Sequence, residues 1–209
     1  MIIDEKIYKY INNFTNYKEL NYLKQIRIKK YNNINTNQMS DILQGKFLTI
    51  ISKIKNPTNI LEIGTFLGYS SLCLSEGLNN KGKLITIESN KKYFNIATKN
   101  ISSTKFKNKI KIIYGNALKI LPKLNKIKFD LIFIDADKKN YINYIKLIKN
   151  KINKGCIILI DNVLWKGLVI KKQKDNYTKY IHNFNKFLKI KNYNNIIIPI
   201  RDGISLIFN

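Results

Sequence analysis

A chain of 209 residues with 38 Lys and Arg against 13 Asp and Glu carries a formal charge of +25 and a pI near 9.9. A hydrophobic content of 44% with 11% aromatics excludes a disordered, charge-swollen chain and supplies material for one core, so residues 1–209 read as a single domain. Arg27 and Arg201 are the two arginines and Ala97, Ala117 and Ala136 the only alanines, a skew that AT-rich coding bias also yields; nucleic-acid sites lean on the planar arginine fork, so charge alone does not specify a nucleic-acid partner.

The opening MIIDEKIYKY places acids where a signal peptide has a basic segment, and no apolar run reaches the ~18 residues that span a bilayer. A cytoplasmic chain with no membrane partner is expected. Cys73 and Cys156 lie in apolar runs, SLCLS and GCIILI, and read as buried thiols. Residues 1–58 read as a helical segment, with Ile7, Tyr10, Ile11 and Phe14 at helical spacing, then Ile42, Leu43, Phe47, Ile50, Ile51 and Ile54, and Pro57 closing it.

Beyond Pro57, short β-rich runs alternate with helix-length segments through residues 59–209. The runs are Asn59 to Ile63, Lys83 to Glu88, Lys109 to Tyr114, Phe129 to Asp135 and Gly155 to Asp161. NILEI, FDLIFID and GCIILID are almost continuously apolar, as strands buried on both faces of a parallel sheet are. Asn195 to Ile200 and Ile204 to Phe208 flank Arg201, Asp202 and Gly203 and read as a hairpin. The expected fold is an α/β, Rossmann-like doubly wound sheet of seven strands, mostly parallel with an antiparallel C-terminal hairpin, preceded by N-terminal helices.

Ligands of such sheets bind beyond the carboxyl ends of the strands. The first run ends in E-x-G-x-x-x-G, with Glu62, Gly64 and Gly68; a dinucleotide loop needs glycine where Phe66 stands, which argues against a pyrophosphate cradle and an NAD-dependent oxidoreductase. Glu62 puts a carboxylate at the strand end, and Glu88 ends the second run where an acid accepts both ribose hydroxyls. Gly115, Asn116 and Ala117 end the third, suited to an adenine edge. Glycine loop, ribose acid and adenine edge without a phosphate grip fit S-adenosylmethionine. Each glycine read singly is a turn and each acid a solvated strand end; the ordered set of three carries the reading.

The fourth and fifth runs end in Asp135-Ala136-Asp137-Lys138 and Asp161-Asn162. Asp135, Asp161 and Asn162 would converge as three oxygen ligands without His or Cys, suited to Mg²⁺, with Ca²⁺ or Mn²⁺ as alternatives and zinc disfavoured. A cation there would bind two adjacent acceptor oxygens and lower the pKa of the attacking hydroxyl. Lys138 would take the proton if the cation and desolvation lower its own pKa.

These motifs resemble the cation-dependent O-methyltransferase family, which includes catechol and caffeoyl-CoA O-methyltransferases and bacterial relatives. Similar stretches are Asn32 to Leu48, LEIGTFLGYSSLCLS from Leu61, FIDADKKNYINY from Phe133, DNVLWKGLV from Asp161 and IPIRDGISL from Ile198. The resemblance implies Glu62, Gly64, Ser70 and Glu88 at S-adenosylmethionine, with Met39 beside its methyl group, and Gly68, Gly115, Asn116, Ala117 and Asp135 joining the cofactor set. It implies Asp135, Asp161 and Asn162 as metal ligands, Lys138 as base with Asp135 in the catalytic pair, and a homodimer. One departure is Gln44-Gly45-Lys46-Phe47, where relatives often read E-G-Q-F.

Trp165 follows the metal motif and is placed equally well in a substrate pocket or in ordinary packing. His182 reads as a surface residue, Tyr141 and Tyr144 as packing, and Lys171, Lys172 and Lys174 as a solvated face. The acceptor expected is a hydroxyl next to a second oxygen on a catechol-like or phenolic small molecule. The alternatives are a 5-hydroxyuridine in tRNA and, against the intact Asp135, Lys138, Asp161 and Asn162, a catalytically silent nucleic-acid-binding protein.

Overall fold

A computed structural model describes residues 4–36 and 39–209. Residues 1–3 of the opening segment, and 37–38 within the stretch Asn32 to Leu48, lie outside the described residues. The strands belong to one seven-stranded mixed sheet, the fold class the alternation of runs predicts. The chain forms two compact units, Asn16–Ala117 and the N-terminal segment up to Thr15 with Leu118–Asn209.

In the N-terminal segment lies α1 (Glu5–Phe14), and the Asn16–Ala117 unit begins with α2 (Asn21–Ile28) and α3 (Ile42–Lys55). The same unit holds β1 (Asn59–Ile63), α4 (Tyr69–Ser75), β2 (Lys83–Glu88), α5 (Lys91–Ser102) and β3 (Ile110–Tyr114), with strand order β3-β2-β1, all parallel. After the short α6 (Ala117–Ile120), the Leu118–Asn209 unit runs through β4 (Phe129–Ile134), α7 (Tyr141–Ile148), β5 (Ile152–Ile160), α8 (Asn176–Ile190), β6 (Asn195–Ile198) and β7 (Ile204–Phe208). Here β4 and β5 pair in parallel, β7 joins β5 antiparallel, and β6 joins β7 antiparallel.

Helix starts follow local chemistry. Asp4, Asp41, Asn90 and Asp175 each accept a hydrogen bond from a first-turn N–H of the helix that follows. α3 stops at Asn56, whose φ of 48° is left-handed, one residue before Pro57.

Three expectations meet a different outcome. α3 forms where the apolar spacing puts it, yet it buries Gln44, Gly45, Leu48, Thr49 and Ser52 and leaves Ile50 and Ile54 exposed. The reason is close approach to α4: a Cβ on Gly45 would lie 2.8 Å from Tyr69 and 3.1 Å from the Cys73 sulfur. The hydroxyls that enter the gap are satisfied, Thr49 donating to the Gly45 and Cys73 carbonyls and Ser52 to the Leu74 carbonyl at 2.5 Å. The fifth strand begins at Ile152, three residues before the apolar run, because pairing with β4 starts at Phe129 opposite Ile152 and then shifts register. Gly155, at φ 72°, absorbs the irregularity. β6 ends at Ile198, since Pro199 has no N–H to extend the ladder.

The tightest backbone approach lies just after α4. A Cβ on Gly77 would stand 2.1 Å from the Ser52 carbonyl carbon, so Gly77→Ala must displace main chain. A loss of about 3 kcal/mol is expected in urea denaturation; an unchanged midpoint would show that α3 and the residues after α4 are not packed this closely.

Candidate active site

In the Asn16–Ala117 unit the strand ends carry a glycine loop and two acids. Gly64, at φ 100°, leaves β1 and donates to the Ile87 carbonyl; Gly68, at φ 88°, caps α4 and lies against α5, where an added Cβ would meet Ile101 at 3.2 Å. Glu62 is fully buried. Its carboxylate accepts from the Ser70 hydroxyl at 2.6 Å, the Thr86 hydroxyl at 2.6 Å and the Ser71 hydroxyl. With the Thr86 proton committed to Glu62, the 2.5 Å contact between Thr65 and Thr86 has Thr65 as donor. Glu62 therefore holds the start of α4 from below.

Glu88 accepts from the backbone N–H groups of Phe66 and Asn90, each at 2.8 Å. Burial pushes its carboxyl above the ordinary range, while these backbone bonds act against that shift. Phe66 stands at φ 49°, a conformation glycine enters freely and phenylalanine does not. The Glu88 bond and edge-on packing against Tyr93 at 4.7 Å hold it there.

Gly115, at φ 138°, donates to the Glu88 carbonyl at 2.8 Å, so the third strand end sits beside the second. Asn116 is exposed and Ala117 buried. Ser70 and Met39 are buried, the Met39 N–H donating to the Thr36 carbonyl. Lys46, the departure from the relatives' pattern, lies 4.3 Å from the Tyr17 ring centroid.

The Leu118–Asn209 unit holds the second group. Ile134 pairs with Ile160 in parallel register, which makes Asp135 and Asp161 neighbours at level strand ends. Asp161 is buried and Asp135 partly exposed. The Lys138 ammonium lies 2.9 Å from Asp135. Burial works against that charge, but Asp135, Tyr141 and Asp161 outweigh it and hold the lysine well above its ordinary range. Without a cation, then, the direction is opposite to the lowering expected for a base.

The turn carrying Asn162 is clamped from several sides. Asn162, at φ 60°, donates its N–H to the Asp161 carboxylate at 2.7 Å. Val163 and Leu164 donate to the carbonyls of Gly203 and Asp202 in the β6–β7 hairpin. Asn185 of α8 donates to the Val163 carbonyl at 2.8 Å, and the Tyr141 hydroxyl donates to the Asp161 carbonyl at 3.0 Å.

Among the described residues no group of three or more His, Cys, Asp or Glu side chains is arranged to hold a metal ion. The set expected from the sequence is instead two carboxylates and one amide. Its chemistry fits a hard cation, because the donors are all oxygen and a positive group, Lys138, already sits at Asp135.

Trp165, half-buried at φ 45°, stacks on Tyr177 with ring centroids 6.1 Å apart, and Tyr177 meets Tyr180 edge-on. His182 is exposed, and both cysteines are buried and form no disulfide. Tyr141 and Tyr144, read as packing, also bond through their hydroxyls, Tyr144 to Asp137. The signal that would have flagged them is their position directly after D-A-D-K, where a first-turn hydroxyl reaches back to the strand ends.

The O-methyltransferase family model matches residues 13–209. The chain is 31% identical to caffeoyl-CoA O-methyltransferase 2 of Eucalyptus globulus, covering 99% of this chain and 89% of the relative. Among solved structures it superposes on an O-methyltransferase from Bacillus cereus in complex with SAH at TM-score 0.85, with 27% identity over 98% of this chain and 97% of that one. A second match is TomG of Streptomyces achromogenes, involved in tomaymycin synthesis and in complex with SAM, at TM-score 0.86 and 25% identity over 97% and 95% of the two chains.

Glu62→Gln replaces one acceptor oxygen by a donor facing hydroxyl groups that already donate. Chemical denaturation is expected to register a loss of about 1–3 kcal/mol; wild-type stability would mean that Ser70, Ser71 and Thr86 donate elsewhere.

Proposed function

The chain belongs to the O-methyltransferase family and is an S-adenosylmethionine-dependent enzyme of the caffeoyl-CoA type, and we propose that it methylates a hydroxyl next to a second oxygen on a catechol-like or phenolic small molecule. The observation that carries the acceptor reading is the pairing of Asp135 and Asp161 at level strand ends with Lys138 against them. Asp135, Asp161 and Asn162 would hold Mg²⁺, with Ca²⁺ or Mn²⁺ as alternatives, and that cation would supply the positive charge that favours the ionised hydroxyl.

The residues of the chain divide the remaining work. Glu88 receives the cofactor ribose, Gly64 and Gly68 let its methionine end approach the backbone, Ser70 and Met39 line it, and Gly115, Asn116 and Ala117 edge the adenine; Glu62 supports Ser70 from beneath. A cation held by Asp135, Asp161 and Asn162 would offset the carboxylate charge that keeps the Lys138 proton in place; burial would then favour the neutral amine, and Lys138 would take the proton of the acceptor hydroxyl. The oxyanion displaces the sulfonium methyl in line, a step that requires little beyond a nucleophile held at about 3 Å. Trp165, stacked on Tyr177, is the wall proposed for a planar acceptor.

One observation favours a second acceptor, a 5-hydroxyuridine in tRNA. The Trp165–Tyr177–Tyr180 aromatics are exposed in part and stand in a stretch with exposed Lys166, Lys171, Lys172 and Lys179, a combination that suits a base and its phosphates.

We further propose a single-domain, cytoplasmic homodimer. One family model spans residues 13–209, and no helix among the described residues is long and apolar enough to cross a membrane. No disulfide joins Cys73 and Cys156, and α1 exposes Ile7, Tyr10 and Phe14 as an apolar face for a second copy.

The deciding experiment is transfer of labelled methyl from S-adenosylmethionine to a catechol and, in parallel, to tRNA bearing 5-hydroxyuridine, each with Mg²⁺ or with chelator. Label is expected on the catechol only with Mg²⁺, and Asp135→Ala or Asp161→Ala should lower it at least about 100-fold with cofactor affinity largely retained. Undiminished transfer in chelator refutes the metal, and label on tRNA alone replaces the small-molecule acceptor.

A further inference from the structure

Tyr141 opens α7 and is almost fully buried, yet its hydroxyl does not serve packing. It donates to the Asp161 main-chain carbonyl at 3.0 Å. The Lys138 ammonium lies 5.3 Å from the centroid of the same ring. Tyr141 therefore meets two groups at once, its ring facing the ammonium and its hydroxyl donating to Asp161. The ring itself is fixed edge-on against Phe184 of α8 at 5.4 Å, so the hydroxyl has little freedom to move away.

We propose that Tyr141 is a positioning residue for methyl transfer: its hydroxyl anchors the ring to the Asp161 carbonyl, and the anchored ring sets where the Lys138 ammonium stands relative to the Asp161–Asn162 turn. This rests on the reading of Lys138 and Asp161 as the acceptor-activating pair. The need for a separate spacer follows from the local backbone. Lys138 sits in a short turn of three residues, and Asn162 has a left-handed φ of 60°, so neither is held by regular helix or strand. The β4–β5 ladder joins the two segments at the strand ends, where the Asp161 N–H donates to the Ile134 carbonyl, but it does not reach the lysine side chain. Tyr141 ties both to the buried end of α7. Asn185 supports the same turn from α8 by its bond to the Val163 carbonyl, but it does not touch Lys138 in the way Tyr141 does.

The test is single-turnover methyl transfer by the full chain with Mg²⁺ and the acceptor found active, for Tyr141→Phe, Lys138→Met and the double variant, with Phe184→Leu as a packing control. Tyr141→Phe keeps the ring and removes only the hydroxyl. It should lower the transfer rate roughly 10- to 100-fold with the cofactor KM unchanged, and its melting temperature should stay within about 4 °C of the parent. In the Lys138→Met background the same substitution should change the rate by less than about twofold, because the residue it acts through is gone. Phe184→Leu should lower the melting temperature more than it lowers the rate.

Wild-type transfer by Tyr141→Phe overturns the proposal, as does an equal loss in both backgrounds. Full activity of Lys138→Met overturns instead the reading of the acceptor pair on which the proposal stands.

Discussion

Parallel pairing of β4 with β5, Ile134 opposite Ile160, ends both strands at one level and forces Asp135 and Asp161 side by side. Two carboxylates so placed repel, and burial of Asp161 weakens the screening that water would provide. The surrounding residues answer that repulsion. Lys138 brings a positive charge to 2.9 Å from Asp135, the Asn162 N–H turns back onto the Asp161 carboxylate, and Tyr141 takes the Asp161 carbonyl. The hairpin then fixes the outgoing chain, since Gly203, whose added Cβ would strike Leu164 at 2.5 Å, lets Asp202 and Gly203 receive the N–H groups of Leu164 and Val163.

The chain has few acids, and they are spent inside the fold. Asp4, Asp41 and Asp175 cap helices; Glu62 and Glu88 hold loops; Glu76 receives Tyr22 and Lys105. Asp130 receives Asn153 and Asp137 receives Tyr144. Glu19 shows the pattern most clearly. Arg27 forks onto it with Nε at 2.9 Å and Nη2 at 2.7 Å, and the Tyr69 hydroxyl joins at 2.9 Å. A lysine offers no planar fork, so one of the two arginines in a lysine-dominated chain stands where two directed bonds are needed. With acids so committed, 38 basic residues leave a surface charge that is not neutralised locally, which favours solubility and nonspecific attraction to polyanions.

The strands were legible because short β-rich runs bounded by turn residues read as strands, whether parallel or in the closing hairpin; β1, β2 and β7 coincide with NILEI, KLITIE and ISLIF. The strand-end acids were legible for the same reason, as each closes an apolar run. What periodicity could not convey was which helix face is buried. α3 turns its small and hydroxyl-bearing residues inward because α4 comes too close for isoleucine, and spacing encodes apolarity but not distance. Roles beneath the strand ends were equally hidden. Glu62 and Tyr141 look from sequence like a ligand carboxylate and a packing ring, and only their hydroxyl partners reveal that they hold other groups in place.

Phe66, which stands where a dinucleotide loop has glycine, is held in the same way. A left-handed phenylalanine is strained, and the loop keeps it by spending an N–H on Glu88 and a ring face on Tyr93. Asn90, the cap of α5, fixes the second oxygen of the same carboxylate. The plane of Glu88 is therefore set by the fold itself, and the orientational entropy that a free glutamate would lose on accepting a further hydrogen bond has already been lost in folding. Ser70 follows the same logic: its proton belongs to Glu62, so toward a ligand its oxygen acts as an acceptor, the polarity that an ammonium group requires.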